Sequence, residues 1–254
     1  MDRSAIERTI EAVWHMEAAK IIAKLARMLR DVGLAEEIAQ DAWVAALEQW
    51  TATGLPENPG AWLMTTAKNR AIDQLRRRQL AERKSALMTH DPDLLGGNAA
   101  QESDSIADDL LRLMFVACHP VLQTEARVTL TLRLLGGLTP AEIARAFLTS
   151  ESAIQQRIVR AKRTLSEARV PFEVPGPAER AARLDAVLEV IYLIFNEGYA
   201  ATSGEDWMRP ALCEEALRLG RILAELAAQE PEVHSLVALM EIQASRAKAR
   251  VSES

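Results

Sequence analysis

The sequence predicts an all-α protein. Apolar residues recur at helical spacing among strong helix formers in nearly every segment. Nowhere do β-branched residues alternate with polar ones between hairpin turns, which is the pattern of a half-buried strand. With 254 residues, 49% of them hydrophobic, the chain can bury a sizeable core and form more than one domain.

Composition argues against several functional classes. No stretch has the uncharged apolar length of a membrane span, and charges from Asp2 onward interrupt any signal-peptide core, so we expect a cytoplasmic protein. The two cysteines, Cys118 and Cys213, lie far apart and outside any CxxC pair. We expect packed thiols and a helix that ends near His119, with no metal and no cofactor. No acid, base or nucleophile spacing suggests an enzyme.

Helix breakers divide the chain into three blocks. The stretch 89–105 (THDPDLLGGNAAQESDS) predicts a flexible acidic linker, and 170–179 (VPFEVPGPAE) predicts a second hinge. The predicted organisation is a first domain at 8–85, a linker at 86–107, a second domain at 108–170 and a helical extension at 179–250.

Two basic surfaces are expected within an acidic chain. The whole chain has 30 Lys and Arg against 36 Asp and Glu. Between residues 60 and 84, however, only Asp73 and Glu82 oppose Lys68, Arg70, Arg76, Arg77, Arg78, Arg83 and Lys84. A second basic run comprises Arg157, Arg160, Lys162 and Arg163. Such clusters are typical of surfaces that contact phosphates.

The stretch 136–162 (GGLTPAEIARAFLTSESAIQQRIVRAK) predicts a helix-turn-helix. Thr139, Pro140 and Glu142 have the spacing of a capping box with a first-turn proline. A three-residue turn, Leu148 to Ser150, leads into a second helix. That helix buries one apolar face, made of Ile154, Ile158, Ala161 and Leu165. Its exposed residues are placed to enter a DNA groove, and the alternative is an ordinary helical hairpin with a solvated basic face.

Two further helices have distinctive faces. A helix that begins near Pro59 places Leu63, Ala67, Ala71 and Leu75 on one stripe and Asn69, Asp73, Arg76 and Arg77 on another. The polar stripe could hold a nucleic-acid strand, or it could be a solvated surface. Upstream, Glu37, Gln40 and Asp41 form a polar face that could dock the helices of another protein.

Three ordered motifs resemble the extracytoplasmic-function (ECF) sigma factors of bacterial RNA polymerase. They are AEEIAQDAW, WLMTTAKNRAIDQLRRR and LTLRLLGGLTPAEIARAFLTSESAIQQRIVRAKRTL, and the likeness covers roughly residues 8 to 170. Later stretches, including VPFEVPGPAER and LDAVLEVIYLIFNEGYAATSGEDW, are similar to the subgroup with a helical C-terminal extension. The resemblance implies two small helical sigma domains joined by a flexible linker, plus that extension.

The resemblance also implies partners and sites. The partners are core RNA polymerase, through its clamp helices and flap, and promoter DNA. The implied core contact is Glu37, Gln40 and Asp41, and the implied minus-ten contact is Asn69, Asp73, Arg76 and Arg77. The implied minus-35 reader is Ser150, Glu151, Ser152, Gln155, Gln156, Arg157, Arg160 and Arg163. The family often has glycine at the position of Leu148, and Trp62 is assigned to packing.

Several alternatives stay open at this point. A helix-turn-helix repressor or activator with a C-terminal effector domain is the second interpretation, although it would not need the AEEIAQDAW motif. Control could come from an anti-sigma factor or from the extension acting in cis. The sequence ends after RAKARVSES, where relatives with long extensions continue, which leaves truncation open. Gly198 is expected to cap its helix in the left-handed conformation, and a chain that ends near Val174 is expected to stay soluble.

Overall fold

The computed structural model describes residues 3–85, 99–199 and 209–246. Ten helices make up all the regular structure of these ranges, so the predicted all-α class is confirmed. They are α1 (Arg3–Leu29), α2 (Val32–Thr53), α3 (Pro59–Ser85), α4 (Ala99–Ala117), α5 (Thr124–Leu134), α6 (Pro140–Ala146), α7 (Glu151–Glu167), α8 (Pro177–Tyr199), α9 (Pro210–Leu226) and α10 (Pro231–Ser245).

The chain divides into two compact units, Met1–Leu110 and Leu111–Ser254, with the boundary inside α4. The sequence predicted three blocks, but the helix-turn-helix and the extension lie in the same unit. Helix α4 begins at Ala99, so the last part of the predicted flexible linker is helical. Strong helix formers at 99–102 precede apolar residues at helical spacing, which explains the early start. Residues 86–98 of the predicted linker, and the chain end at 247–254, lie outside the described residues.

The first unit contains a bundle of α1, α2 and α3, which pack against one another. Asp31 caps α2 by accepting the Leu34 N–H at 3.0 Å. Small buried residues let α1 and α2 approach closely, and the buried alanines of α2 are Ala35, Ala39, Ala42 and Ala46. Trp50 stands edge to face against Trp62 with the ring centroids 5.2 Å apart, which agrees with a packing role for Trp62.

Helix α5 is the centre of the second unit. It packs on α7 and on α8, and every residue from Val128 to Leu134 is buried. A helix that is buried all round must be covered on more than one side, here by the helix-turn-helix and by the extension. Helices α8, α9 and α10 pack on one another and complete the unit.

Gly198 does not cap its helix, so that expectation was wrong. It lies within α8, and the glycines with positive φ among the described residues are Gly54 and Gly137. A Cβ added to Gly198 would stand 2.7 Å from the backbone nitrogen of Cys213 and 2.9 Å from its Sγ. The glycine therefore serves the close approach of α8 and α9. Burial raises the pKa of the Cys213 thiol to about 11, which keeps it protonated, as expected of a packed cysteine.

Candidate nucleic-acid interface

The first helix of the helix-turn-helix, α6, begins with the predicted capping box. Thr139 Oγ1 accepts the Glu142 N–H at 3.2 Å, and Glu142 Oε2 accepts the Thr139 N–H at 2.7 Å. Pro140 occupies the first turn, where its missing N–H is not needed. Two otherwise unpaired donors are thereby satisfied, and the start of α6 is fixed.

The turn between the two helices has a left-handed residue. Leu148 has φ of 48° and is 56% exposed. Glycine takes this conformation without penalty, whereas a residue with a Cβ pays about 1–2 kcal/mol. This geometry suits the glycine that the resemblance to the ECF family implies for this position. The turn ends at Ser150, whose Oγ caps α7 by accepting the Ala153 N–H at 3.2 Å.

Helix α7 is divided as predicted between a buried and an exposed face. The buried residues are Ile154, Ile158, Ala161 and Leu165. The exposed predicted readers are Glu151, Ser152, Gln155, Gln156, Arg160 and Arg163. Gln155 Nε2 donates to Glu151 Oε1 at 2.9 Å, and Arg163 Nε donates to Glu167 Oε1 at 2.6 Å. These polar groups are held on the surface, where a duplex could reach them.

Arg157 differs from the other predicted readers. It is half-buried, and its Nη1 donates to Thr129 Oγ1 of α5 at 3.4 Å. A guanidinium held against α5 has less freedom to contact phosphates. Among the predicted residues, Arg157 is therefore the one that the structure ties most closely to the scaffold.

The polar stripe of α3 also appears as predicted. Leu63, Ala67 and Ala71 are fully buried, and Leu75 is half-buried. On the opposite side, four exposed residues lie within two and a half turns, namely Asn69, Asp73, Arg76 and Arg77. Arg76 Nη1 lies 3.8 Å from Asp73 Oδ1, so the carboxylate partly neutralises this guanidinium.

An ion pair that the sequence did not predict joins α2 to α3. Arg70 Nη1 lies 3.5 Å from Asp41 Oδ2. Glu37 and Asp41 are exposed and Gln40 is half-buried, so the predicted core-contact face of α2 lies on the surface beside α3. Spacing within one helix cannot reveal a contact between two helices, which is why sequence reasoning missed it.

The extension contacts α4 and α5, the helices that precede and support the helix-turn-helix. Arg218 Nη2 of α9 donates to the Leu135 carbonyl at 2.6 Å, just beyond the end of α5. Arg183 Nη2 of α8 donates to the Phe115 carbonyl at 2.8 Å. Arg127 Nη1 of α5 lies 3.1 Å from Glu189 Oε2 of α8. Charged side chains of the extension thus satisfy carbonyls near the ends of α4 and α5.

Apolar contacts fill the space between these polar links. Met114, Cys118 and Leu135 line the same small space as Val187, Ile191 and Leu219 of the extension. Cys118 Sγ lies 3.4 Å from Thr131 Oγ1, and burial raises the pKa of the Cys118 thiol to about 11. The expectation of a packed thiol is confirmed. The junction is a continuous apolar core with hydrogen bonds at its margin.

Comparison with known proteins identifies families that match each part of the chain. Residues 15–81 match the Sigma-70 region 2 family, 112–165 match Sigma-70, region 4, and 183–254 match a family of unknown function, DUF6596. The ECF RNA polymerase sigma factor SigK of Mycobacterium ulcerans is 34% identical over 154 residues, which is 58% of this chain and 78% of SigK. The chain belongs to the ECF RNA polymerase sigma factors. The resemblance seen in the sequence is confirmed.

Two further relatives extend the comparison of this ECF sigma factor. SigK of Mycolicibacterium vanbaalenii is 29% identical over 170 residues, covering 61% of this chain and 81% of the relative. The uncharacterized protein R00370 of Rhizobium meliloti is 44% identical over 232 residues, covering 89% of this chain. The matched part is only 54% of the Rhizobium protein, so the chain spans about half the length of that relative.

The family relationship places the helices of this sigma factor in functional regions. Helices α2 and α3 fall in the region 2 match, and α5 to α7 fall in the region 4 match. These matches support an alternative sigma factor for promoter recognition. In the ranges that the structure describes, no helix combines the length and apolarity that a membrane crossing requires.

Proposed function

We propose that this chain is an alternative sigma factor that binds core RNA polymerase in the cytoplasm and directs it to a two-part promoter. The observation that supports the proposal is the order of two helical elements along one chain. A basic helix in the region 2 match precedes a capped helix-turn-helix in the region 4 match. Sigma factors recognise DNA without catalysing a reaction themselves, so no enzymatic activity is assigned.

The core contact is assigned to α2. Glu37 and Asp41 expose carboxylates one turn apart, and Gln40 lies beside them. Acidic and amide groups on one helical face suit a partner surface that offers basic and polar side chains. We assign this face to the clamp helices of the polymerase and assign region 4 to the flap.

The minus-ten contact is assigned to Asn69, Asp73, Arg76 and Arg77 of α3. An amide and a carboxylate can hydrogen-bond exposed base edges, while guanidiniums hold the backbone of a single strand. We expect Asn69→Ala to spare duplex binding and to impair promoter opening on linear DNA. Permanganate footprinting would measure opening, and normal melting in the variant would remove Asn69 from this role.

The minus-35 contact is assigned to the start and exposed face of α7. In a helix-turn-helix, the first turns of the second helix enter the major groove, and residues on either side reach phosphates. Ser150, Glu151, Ser152, Gln155 and Gln156 lie in those first turns, with Arg157, Arg160 and Arg163 following.

The extension is assigned a regulatory role in cis. It contacts the ends of α4 and α5, and Arg218 reaches the residue that precedes the loop into α6. A movement of α8 and α9 would therefore displace the ends of α4 and α5, which support the helix-turn-helix. An anti-sigma factor is the rival means of control, and it would act on this chain as a separate partner.

Transcription in vitro with purified core polymerase and a promoter library tests the function and the target together. The proposal requires transcripts from a defined subset of promoters, dependent on this chain. Sequence-specific binding to duplexes without any polymerase-dependent transcript would instead support the repressor or activator interpretation.

A further inference from the structure

Helix α7 exposes an apolar side chain in the middle of its polar face. Val159 is 64% exposed, although the other branched apolar residues of the same helix, Ile154, Ile158 and Leu165, are buried. It follows Gln155 by four residues and precedes Arg163 by four, so these three side chains share one side of the helix. Valine is a poorer helix former than alanine or the long polar residues, so helix propensity does not explain it.

Val159 is placed where an apolar side chain could enter a DNA groove. The major-groove edge of thymine carries a C5 methyl group, which is recognised through apolar contact with side chains. The neighbouring Gln155 and Gln156 carry amides that can pair with base edges, and Arg160 and Arg163 offer positive charge for phosphates on either side. An apolar spot framed by amides and guanidiniums fits a polyanionic duplex better than an apolar protein surface.

We propose that Val159 is a specificity-determining residue that contacts a thymine methyl group in the upstream promoter duplex. This inference rests on the proposed sigma function and adds Val159 to the reader. Burial of one methyl group is worth about 0.8 kcal/mol, so the contact corresponds to roughly a fourfold preference for thymine at one position.

The experiment removes the methyl group from DNA and the side chain from the protein in turn. Upstream duplexes are selected from a randomised library with the full chain bound to core polymerase. Each thymine is then replaced singly by deoxyuridine, which keeps every hydrogen-bonding group. The wild-type protein should lose about fourfold in affinity at one position. Val159→Ala should bind the thymine duplex about fourfold more weakly and should not distinguish the two bases there.

A matched variant controls for a general effect of valine truncation. Val121→Ala removes the same two methyl groups from another exposed position, which lies outside α7. It should keep the wild-type preference for thymine. Circular dichroism of all three proteins checks that the helical content of the chain is unchanged.

Two results would overturn the inference. One is a wild-type protein that is indifferent to deoxyuridine at every position while it still directs promoter-specific transcription, which leaves the sigma function standing. The other is a Val159→Ala protein that retains the full preference. Absence of any promoter-directed transcription would overturn the sigma function and this inference together.

Discussion

Arg218 of α9 donates a hydrogen bond to the carbonyl of Leu135 at 2.6 Å, and this bond joins the extension to the end of α5. The same guanidinium pairs with Glu215, whose carboxylate lies 3.1 Å from where a Cβ of Gly136 would stand. Arg218 thus holds the start of the segment that leads into α6, and Glu215 lies close to Gly136 in the same segment.

Arg218→Ala should destabilise the second unit by about 1 kcal/mol. A hydrogen bond from a charged donor contributes about 1.5–3 kcal/mol when well buried, and the partial exposure of Arg218 places the expected loss below that range. Urea unfolding measures the loss. Arg221→Ala is the matched control because its exposed pair with Glu241 stays within the extension. Equal stability of the two variants would contradict a special role for Arg218.

Removal of the extension should destabilise the region 4 helices as well as free them from the extension. From the sequence alone we expected a chain that ends near Val174 to be soluble. The structure changes this expectation, because the loss of Val187, Ile191 and Leu219 would expose Met114, Cys118 and Leu135. We now expect lower thermal stability and dye-detectable apolar surface in the truncated protein.

A point substitution separates the stability of the junction from control of transcription. Leu219→Ala in the full chain should lower the free energy of unfolding by about 2–5 kcal/mol, since Leu219 is 1% exposed in this core.

Regulation in cis is tested separately. Promoter output from the truncated and complete proteins is compared at matched levels of folded protein. Equal output would count decisively against regulation in cis.

Asp41→Arg combined with Gln40→Ala should weaken binding to core polymerase. Asp41 is exposed and Gln40 is half-buried, and the double variant loses the exposed ion pair of Asp41 with Arg70, so the free energy of unfolding should fall by about 1 kcal/mol at most. Asp41→Arg also places a positive charge beside Arg70, which adds a modest local repulsion. Co-purification with core enzyme is the measurement, and Glu57→Arg in the exposed loop before α3 is the control. An undiminished pull-down of the folded double variant would remove the assignment.

The exposed residues of α7 should divide into two kinds. Replacement of Gln155 or Gln156 by alanine should change which duplex is preferred, with about 1–3 kcal/mol at the affected base pair. Replacement of Arg160 or Arg163 should weaken binding to all sequences and flatten its salt dependence. Binding titrations at several salt concentrations distinguish the two patterns. A uniform loss from the glutamine variants would show that they do not read bases.

Leu148→Gly should stabilise the helix-turn-helix by about 0.5–1 kcal/mol. The gain comes from removing a Cβ at φ of 48°, and part of it is offset by the greater freedom of glycine in the unfolded chain. Leu148→Ala is the control, because it keeps the Cβ and removes only an exposed side chain. Thermal unfolding ranks the three proteins. A glycine variant that is no more stable than the alanine variant would rule out strain at this turn.

Local signals in the sequence predicted the local parts of the fold. The capping box at Thr139, the cap at Ser150 and the inward stripe from Ile154 to Leu165 each depend on residues within about four helical turns. The exposed face of α3 was predicted for the same reason. Such features follow from the period of one helix and the chemistry of its ends.

Contacts between distant segments were not predictable in this way. The bond from Arg218 to Leu135 joins residues 83 positions apart, and Arg70 meets Asp41 across two helices. Gly198 was misread because glycine near an apparent helix end suggests a cap, whereas tertiary packing against Cys213 gives it another use. Helical spacing shows that α8 must be covered but does not identify the residues that cover it.

The position of α5 determines where sigma factors of this kind could be recombined. Because α5 packs on both α7 and α8, a hybrid that takes its helix-turn-helix from one protein and its extension from another would keep the α5–α7 contact and mismatch the surface of α5 that packs on α8. A crossover at 170–176 would create that mismatch. A crossover at 86–98 would transfer the proposed minus-35 reader together with the helices that support it, so the unit to exchange for upstream recognition runs from α4 to the extension.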